Sequence, residues 1–173
     1  MTKIKATLIG EKITSNSKSA LDLFSSQRFG EKIGEKIVYS LSETLFLIES
    51  RKMHLYGHKN KIISQKNLMQ KFQKINKKFK TNYIVFKDLR SRGYIVKTAL
   101  KFGADFRVYE KGKNIGKDHA KWILFPVSEN DALTWHDFSA KNRVAHSTKK
   151  NLLIAIVDEE EDVSYYEVSW IRP

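Results

Sequence analysis

Five histidines carry the only side chains of this sequence whose ordinary pKa, about 6.5, lies close to neutrality. His54 and His58 lie beside Gly57 and read as loop residues. His136 follows Trp135 in an irregular stretch. His146 sits in Val144-Ala145-His146-Ser147, whose apolar neighbours indicate a packed structural histidine. His119 differs: it follows the polar run Lys113-Asn114-Ile115-Gly116-Lys117-Asp118 and opens a strand. Loop-to-strand junctions are good places for active residues. His119 is therefore the candidate for proton transfer, weighed against an ordinary surface histidine.

Other chemistries find less support. There is no cysteine, which excludes a disulfide framework, a thiolate zinc site and a cysteine nucleophile. A two-metal nuclease needs clustered carboxylates at strand ends. Asp105, Glu110 and Asp118 are present but form no compact carboxylate-carboxylate-Lys signature. Asp158-Glu159-Glu160-Glu161-Asp162 is too contiguous to shape a site and reads as a solvated loop or a docking element. No nucleophile-elbow sequence supports a Ser-His-Asp triad. No metal and no cofactor is expected.

Chemistry without a metal remains. RNA supplies its own nucleophile, the 2′-hydroxyl. Cleavage then needs a base for that hydroxyl, an acid for the departing 5′-oxygen, and positive charge on the phosphorane. Histidine suits the acid role and lysine the charge. A tyrosine serves as base only if cations pull down its ordinary pKa of about 10, and Lys111, Lys113 and Lys149 are candidate cations.

A net charge of +13 over 173 residues fits a polyanionic partner. It fits equally a solvated basic surface. Residues 1–81 hold 17 Lys and Arg against 6 Asp and Glu, whereas residues 82–173 hold 15 against 13. No apolar run approaches the roughly 20 residues that cross a bilayer. Met1 to Ile9 alternates lysine with apolar residues and has no signal-peptide core. A cytoplasmic protein without membrane attachment is expected.

The elements that must position these residues divide near residue 80. Lys3 to Ile9 alternates as a half-buried strand does. Asn16 or Ser17 can cap a helix carrying Ala20, Leu21, Leu23 and Phe24. Gly30 and Gly34 punctuate the next stretch, and Ser40 with Glu43 forms a capping box. Lys52 to Tyr56 reads as a strand. Ser64 or Asn67 starts a basic helix with Leu68, Met69, Phe72, Ile75 and Phe79 at helical spacing. Its lysines read equally as RNA contacts or as a solvated face. A helix over Tyr83 to Arg92 stops at Gly93. Strands come next at Tyr94 to Ala99, Phe106 to Tyr109 and Trp122 to Val127. Trp135 to Ser147 reads as mixed and partly helical. Leu152 to Val157 and Val163 to Ile171 are the last strands, with Tyr166, Val168 and Trp170 on one face of the latter. No internal repeat is read.

Several of these segments resemble archaeal tRNA-splicing endonucleases. Asp88-Leu89-Arg90-Ser91-Arg92-Gly93-Tyr94-Ile95-Val96-Lys97 is similar to a characteristic stretch of that family. So are Lys101-Phe102-Gly103-Ala104-Asp105-Phe106-Arg107-Val108-Tyr109 and Arg143-Val144-Ala145-His146-Ser147-Thr148-Lys149-Lys150. The likeness is ordered over residues 83–173 and weaker before, where Leu41 to Leu55 is similar to the family's N-terminal helix and strand.

That resemblance implies a site, a reaction and a fold. Tyr109, His119 and Lys150 fall on the family's catalytic tyrosine, histidine and lysine, as general base, general acid and transition-state stabiliser. The implied reaction excises introns from precursor tRNA at bulge-helix-bulge structures, leaving 2′,3′-cyclic phosphate and 5′-hydroxyl ends. The implied fold is mixed α/β (α+β): a small N-terminal α/β domain, residues 1–80, and a restriction-endonuclease-like catalytic domain with a mixed β-sheet, residues 81–173. Arg143 and, more loosely, Arg172 would hold a bulged base. Trp170 can stack on a base, though a core or dimer-interface role suits it better. By the same resemblance, Asp158, Glu159, Glu160, Glu161 and Asp162 would form a docking loop in a dimer of dimers. Self-association or pairing with a paralogous non-catalytic subunit are both open. Two other readings stand beside this one. They are a non-catalytic RNA-binding subunit of the same fold and a metal-dependent DNA nuclease or junction resolvase.

Overall fold

A computed structural model describes residues 2–113 and 118–171. It is mixed α/β, with two mixed sheets in two units, Met1–Lys80 and Thr81–Pro173. Among the described residues, no helix is long and apolar enough to cross a membrane.

In the first unit, β1 (Ile4–Ile9) buries Ile4, Ala6 and Leu8 and turns the intervening side chains outward, as the alternation predicts. Gly10, at φ +60°, turns the chain into β2 (Lys12–Ser15). Helix α1 (Lys18–Gln27) starts at Ser17, whose hydroxyl accepts from the Ala20 N–H. β3 (Glu31–Ile33) and β4 (Lys36–Tyr39) form a hairpin around Gly34, at φ +59°. Helix α2 (Leu41–Glu49) carries the expected box. Ser40 Oγ accepts from the Glu43 N–H, and the Glu43 carboxylate accepts from the Ser40 N–H. Strand β5 (Met53–Tyr56) lies parallel to β1, giving the order β3-β4-β2-β1-β5. Helix α3 (Gln65–Ile75) buries Leu68 and Phe72.

Helix α4 (Phe79–Ser91) leads into the second sheet. Its strands are β6 (Ile95–Ala99), β7 (Ala104–Tyr109), β8 (Trp122–Ser128), β9 (Asn151–Val157) and β10 (Val163–Val168). The order is β10-β9-β8-β7-β6, antiparallel throughout except between β8 and β9. Helix α5 (Trp135–Ser147) makes the crossover that this parallel pair needs. Its Phe138, Val144 and Ala145 pack with Ile123, Phe125, Leu152 and Ile154 of the sheet. On α4, Phe86 meets Phe106 at 5.9 Å and Asp88 accepts from the Tyr165 hydroxyl at 2.7 Å.

Several expectations are corrected. β2, β3 and β4 are strands that the periodicity did not reveal, because each is only three or four residues long. Phe79 does not lie on α3. It opens α4, after the extended backbone of Asn76, and its ring meets Phe72 edge-on at 5.2 Å. Trp135–Ser147 is helical throughout, capped by Thr134. β10 ends at Val168, so Trp170 lies beyond it. His54 is in β5 rather than a loop.

Candidate functional site

Tyr109 is the last residue of β7, pairs with Ile95 and is 4% exposed. His119 is exposed, three residues before β8. Lys150 stands between α5 and β9. The sheet topology brings these positions to one end. β7 runs antiparallel to β8, and β8 parallel to β9, so the end of β7 meets the starts of the other two. In register, Val108 opposes Trp122 and Trp122 opposes Asn151. The ladder continues one step outward: the Asn151 N–H donates to the Lys121 carbonyl and the Lys121 N–H to the Val108 carbonyl, each at 3.0 Å. At a strand spacing of about 4.8 Å, three adjacent strand ends span only about 10 Å.

The end of α5 holds Lys150 in place. The Lys150 N–H donates to the Ala145 carbonyl and the Lys149 N–H to the His146 carbonyl, each at 3.0 Å. Lys149 is left-handed, at φ +54°. This is the Schellman closure of a helix, here with lysine where glycine usually stands. Lys150 Nζ donates to the Thr148 carbonyl at 2.8 Å. Burial, and then the charge of Arg107, hold the Lys150 ammonium below the ordinary lysine pKa.

Arg107 was not singled out in the sequence, although the alternation of β7 puts it on the same face as Tyr109. Its register partner on β6 is Lys97, which is 5% exposed. Of the cations expected near Tyr109, Lys111 lies over the Tyr94 ring at 5.0 Å and Lys113 approaches Asp118 at 3.9 Å. Lys149 is the exposed cap residue. On the α4 side of the same sheet end, the Glu167 carboxylate accepts from Trp122 Nε1 and Asn151 Nδ2, both at 2.6 Å. These bonds, the indole first, hold its pKa below the usual carboxylate range.

Beside Lys150 lies a polar cavity of about 210 Å³, lined in part by Asn142, His146, Lys149, Asn151 and Trp170. His146 is exposed and lies against Trp170, with ring centroids 4.4 Å apart and the rings tilted by 57°, so it is not a packed core histidine. The helical turn points it away from Ala145, the residue that α5 buries there. Trp170 is 52% exposed, so it is not a core residue of this chain. Arg143 is exposed on α5, three residues before His146. Arg172 lies outside the described residues.

The acidic run closes the β9–β10 hairpin at the opposite end of the sheet. The Asp158 N–H donates to the Asp162 carbonyl at 3.1 Å, and the Glu159 N–H to the Glu129 carboxylate at 2.8 Å. Four of its five side chains are exposed and Asp158 is half-buried. Among the described residues, no three His, Cys, Asp or Glu side chains gather as metal ligands would.

Comparison with known proteins gives consistent matches along the chain. Residues 79–165 match the model of the tRNA intron endonuclease catalytic C-terminal domain, and residues 4–69 that of the tRNA intron endonuclease N-terminal domain. The chain is 39% identical to a tRNA-splicing endonuclease of Thermococcus gammatolerans, over 95% of this chain and 96% of that one. It is 39% identical to that of Pyrococcus horikoshii, over 98% and 97%. With that of Methanothermobacter thermautotrophicus it shares 36% identity over 99% of each.

Proposed function

The chain belongs to the tRNA intron endonuclease family, and on that premise we propose that it excises introns from precursor tRNA by cleavage that needs no metal. Tyr109 takes the proton of the 2′-hydroxyl at the cleavage site. The freed oxygen attacks the adjacent phosphorus, and the bond to the 5′-oxygen breaks. His119 protonates that oxygen. The Lys150 ammonium meets the negative charge of the phosphorane. The products are a 2′,3′-cyclic phosphate and a 5′-hydroxyl. Bulge-helix-bulge RNA is the substrate, with Arg143 and Arg172 holding a bulged base.

The observation that supports this reading most is the ladder from Val108 to Lys121 to Asn151, which sets the positions of Tyr109 and Lys150 level with Lys121, two residues after His119, at one sheet end. The strand ends hold the reacting groups on a rigid frame, which is what positioning of a phosphoryl group requires.

The test is cleavage of a bulge-helix-bulge RNA by the purified chain in excess EDTA, compared with His119→Ala. The expected result is cleavage with a cyclic phosphate end, lost in the variant. Cleavage only after metal is added overturns the mechanism. A folded wild-type chain that binds the RNA without cutting it alone decides for a partner subunit over self-association.

A further inference from the structure

Residues 50–87 contain eleven Lys and Arg and no Asp or Glu. Helix α3 lies in the middle of this stretch. Its inward side is settled: Leu68 and Phe72 are fully buried. Its outward side carries Lys66, Asn67, Gln70, Lys71 and Lys74, all exposed, and the exposed Lys77 and Lys78 come after it. At 100° per residue, the five outward positions within the helix fall in an arc of about 140°. From Lys66 to Lys74 the arc rises about 12 Å.

An ordinary solvated helix face mixes both signs of charge and gains from pairs three or four residues apart. This one does the reverse. Lys71 and Lys74 repel at that spacing, and Lys66 sits in the first turn, where the helix dipole disfavours a cation. The nearest carboxylate in sequence on the N-terminal side, Glu49, accepts a bond from Gln65 at 3.4 Å. Lys74, in the last turn, suits the dipole, but the other two local rules fail on this one face, as they do where a surface serves binding.

The composition of the face selects the partner. Protein interfaces centre on aromatic or aliphatic anchors and are depleted in lysine. The outward arc of α3 has no apolar residue. Lysine with interleaved Asn and Gln is instead the composition that meets phosphates and sugars, without reading bases. Tyr109, His119 and Lys150 all belong to the other unit.

We propose that the outward face of α3, with Lys77 and Lys78, is a phosphate-binding track for the RNA substrate, separate from the residues that cut it. The inference rests on the nucleolytic reading above and adds a second contact to it. The track supplies affinity independent of sequence and leaves the chemical step alone.

The test replaces Lys66, Lys71, Lys74 and Lys78 with Gln. Binding of precursor tRNA is measured across a series of KCl concentrations, in a His119→Ala background so that no RNA is cut. Cleavage is measured separately with His119 intact, in single turnover at saturating RNA. The expected slope of log affinity against log salt falls by roughly 3 to 4, close to one per lysine. Affinity in dilute salt falls at least tenfold, and a Lys→Arg quadruple variant retains it. The saturated cleavage rate stays as in the wild type. An unchanged slope and affinity overturns the track, whether or not the wild type cuts. If they are unchanged and sedimentation shows a smaller assembly, the face is a protein interface and the track is likewise overturned. Absence of cleavage by the wild type, with the slope still reduced by the substitutions, counts against nucleolysis by this chain without a partner and leaves the track standing.

Discussion

Lys150 shows how one residue's surroundings set its chemistry. Burial and the Arg107 charge both disfavour its ammonium, so its pKa is lowered. If the charged form stabilises the phosphorane, activity is present while the ammonium is charged and fails as pH rises through the lowered pKa. The alkaline fall in single-turnover cleavage is thus expected below the ordinary lysine value of about 10.4. Lys150→Arg keeps its charge over the whole range, and its alkaline fall is expected at higher pH. An identical alkaline limb in wild type and Lys150→Arg assigns that limb to another group. Lys150→Ala is expected to lose about 10²- to 10³-fold in rate, the usual effect of removing one donor to developing charge. Arg107 acts on Lys150, and its register partner on β6 is Lys97. That pairing is unfavourable for like charges on a sheet.

Elements decide where those residues stand. The closure of α5 places Lys150 by backbone bonds, and it requires a left-handed residue at 149. A side chain in that conformation costs about 1 kcal/mol, which glycine avoids. Lys149→Gly is therefore expected to stabilise the fold by about 0.5–1 kcal/mol, measured by urea denaturation. A loss of stability would show that the Lys149 side chain contributes more than its backbone strain removes. The pairing of β8 with β9 matters as much, because only their parallel alignment sets Lys150 level with the start of β8. A hairpin in place of α5 would have sent Lys150 to the other end of the sheet.

At the scale of the whole molecule, charge is sorted. The first unit carries most of the net positive charge. The second collects Asp158 to Asp162 and Glu129 at one sheet end, while the other mixes Lys121, Lys149 and Lys150 with Glu167 and with Glu110, which pairs with Lys121 at 3.0 Å. An acidic tip repels RNA and attracts a basic protein surface, so it is suited to assembly between copies. Replacing all five acids of Asp158 to Asp162 with Ser is expected to dissociate the dimer of dimers that the family resemblance implies, and high salt to weaken the wild type in the same way. Sedimentation at low and high salt measures both. A tetramer unchanged by the substitutions removes docking from the role of this loop.

The sequence by itself determined what rests on neighbours in the chain. The Ser40 and Glu43 box, the alternation of β1 and the apolar runs of β8 and β9 are local, and each is found where its residues stand; of the two caps open to α1, Asn16 or Ser17, it is Ser17. The two copies of Ile-Gly-Glu-Lys-Ile, at 9–13 and 33–37, were the missed signal for two hairpins. Each puts a glycine at the left-handed turn position. Tyr109, His119 and Lys150 stand as candidates through their resemblance to a known pattern, and Arg107 was missed although the alternation of β7 puts it on the face of Tyr109. Tertiary structure decided the rest. Strand order, the parallel β8–β9 pair and the exposure of His146 depend on which apolar faces are buried together, and residues far apart in the chain settle that. A helix cap is closed by bonds spanning a few residues. A site of three strand ends exists only after the sheet has formed.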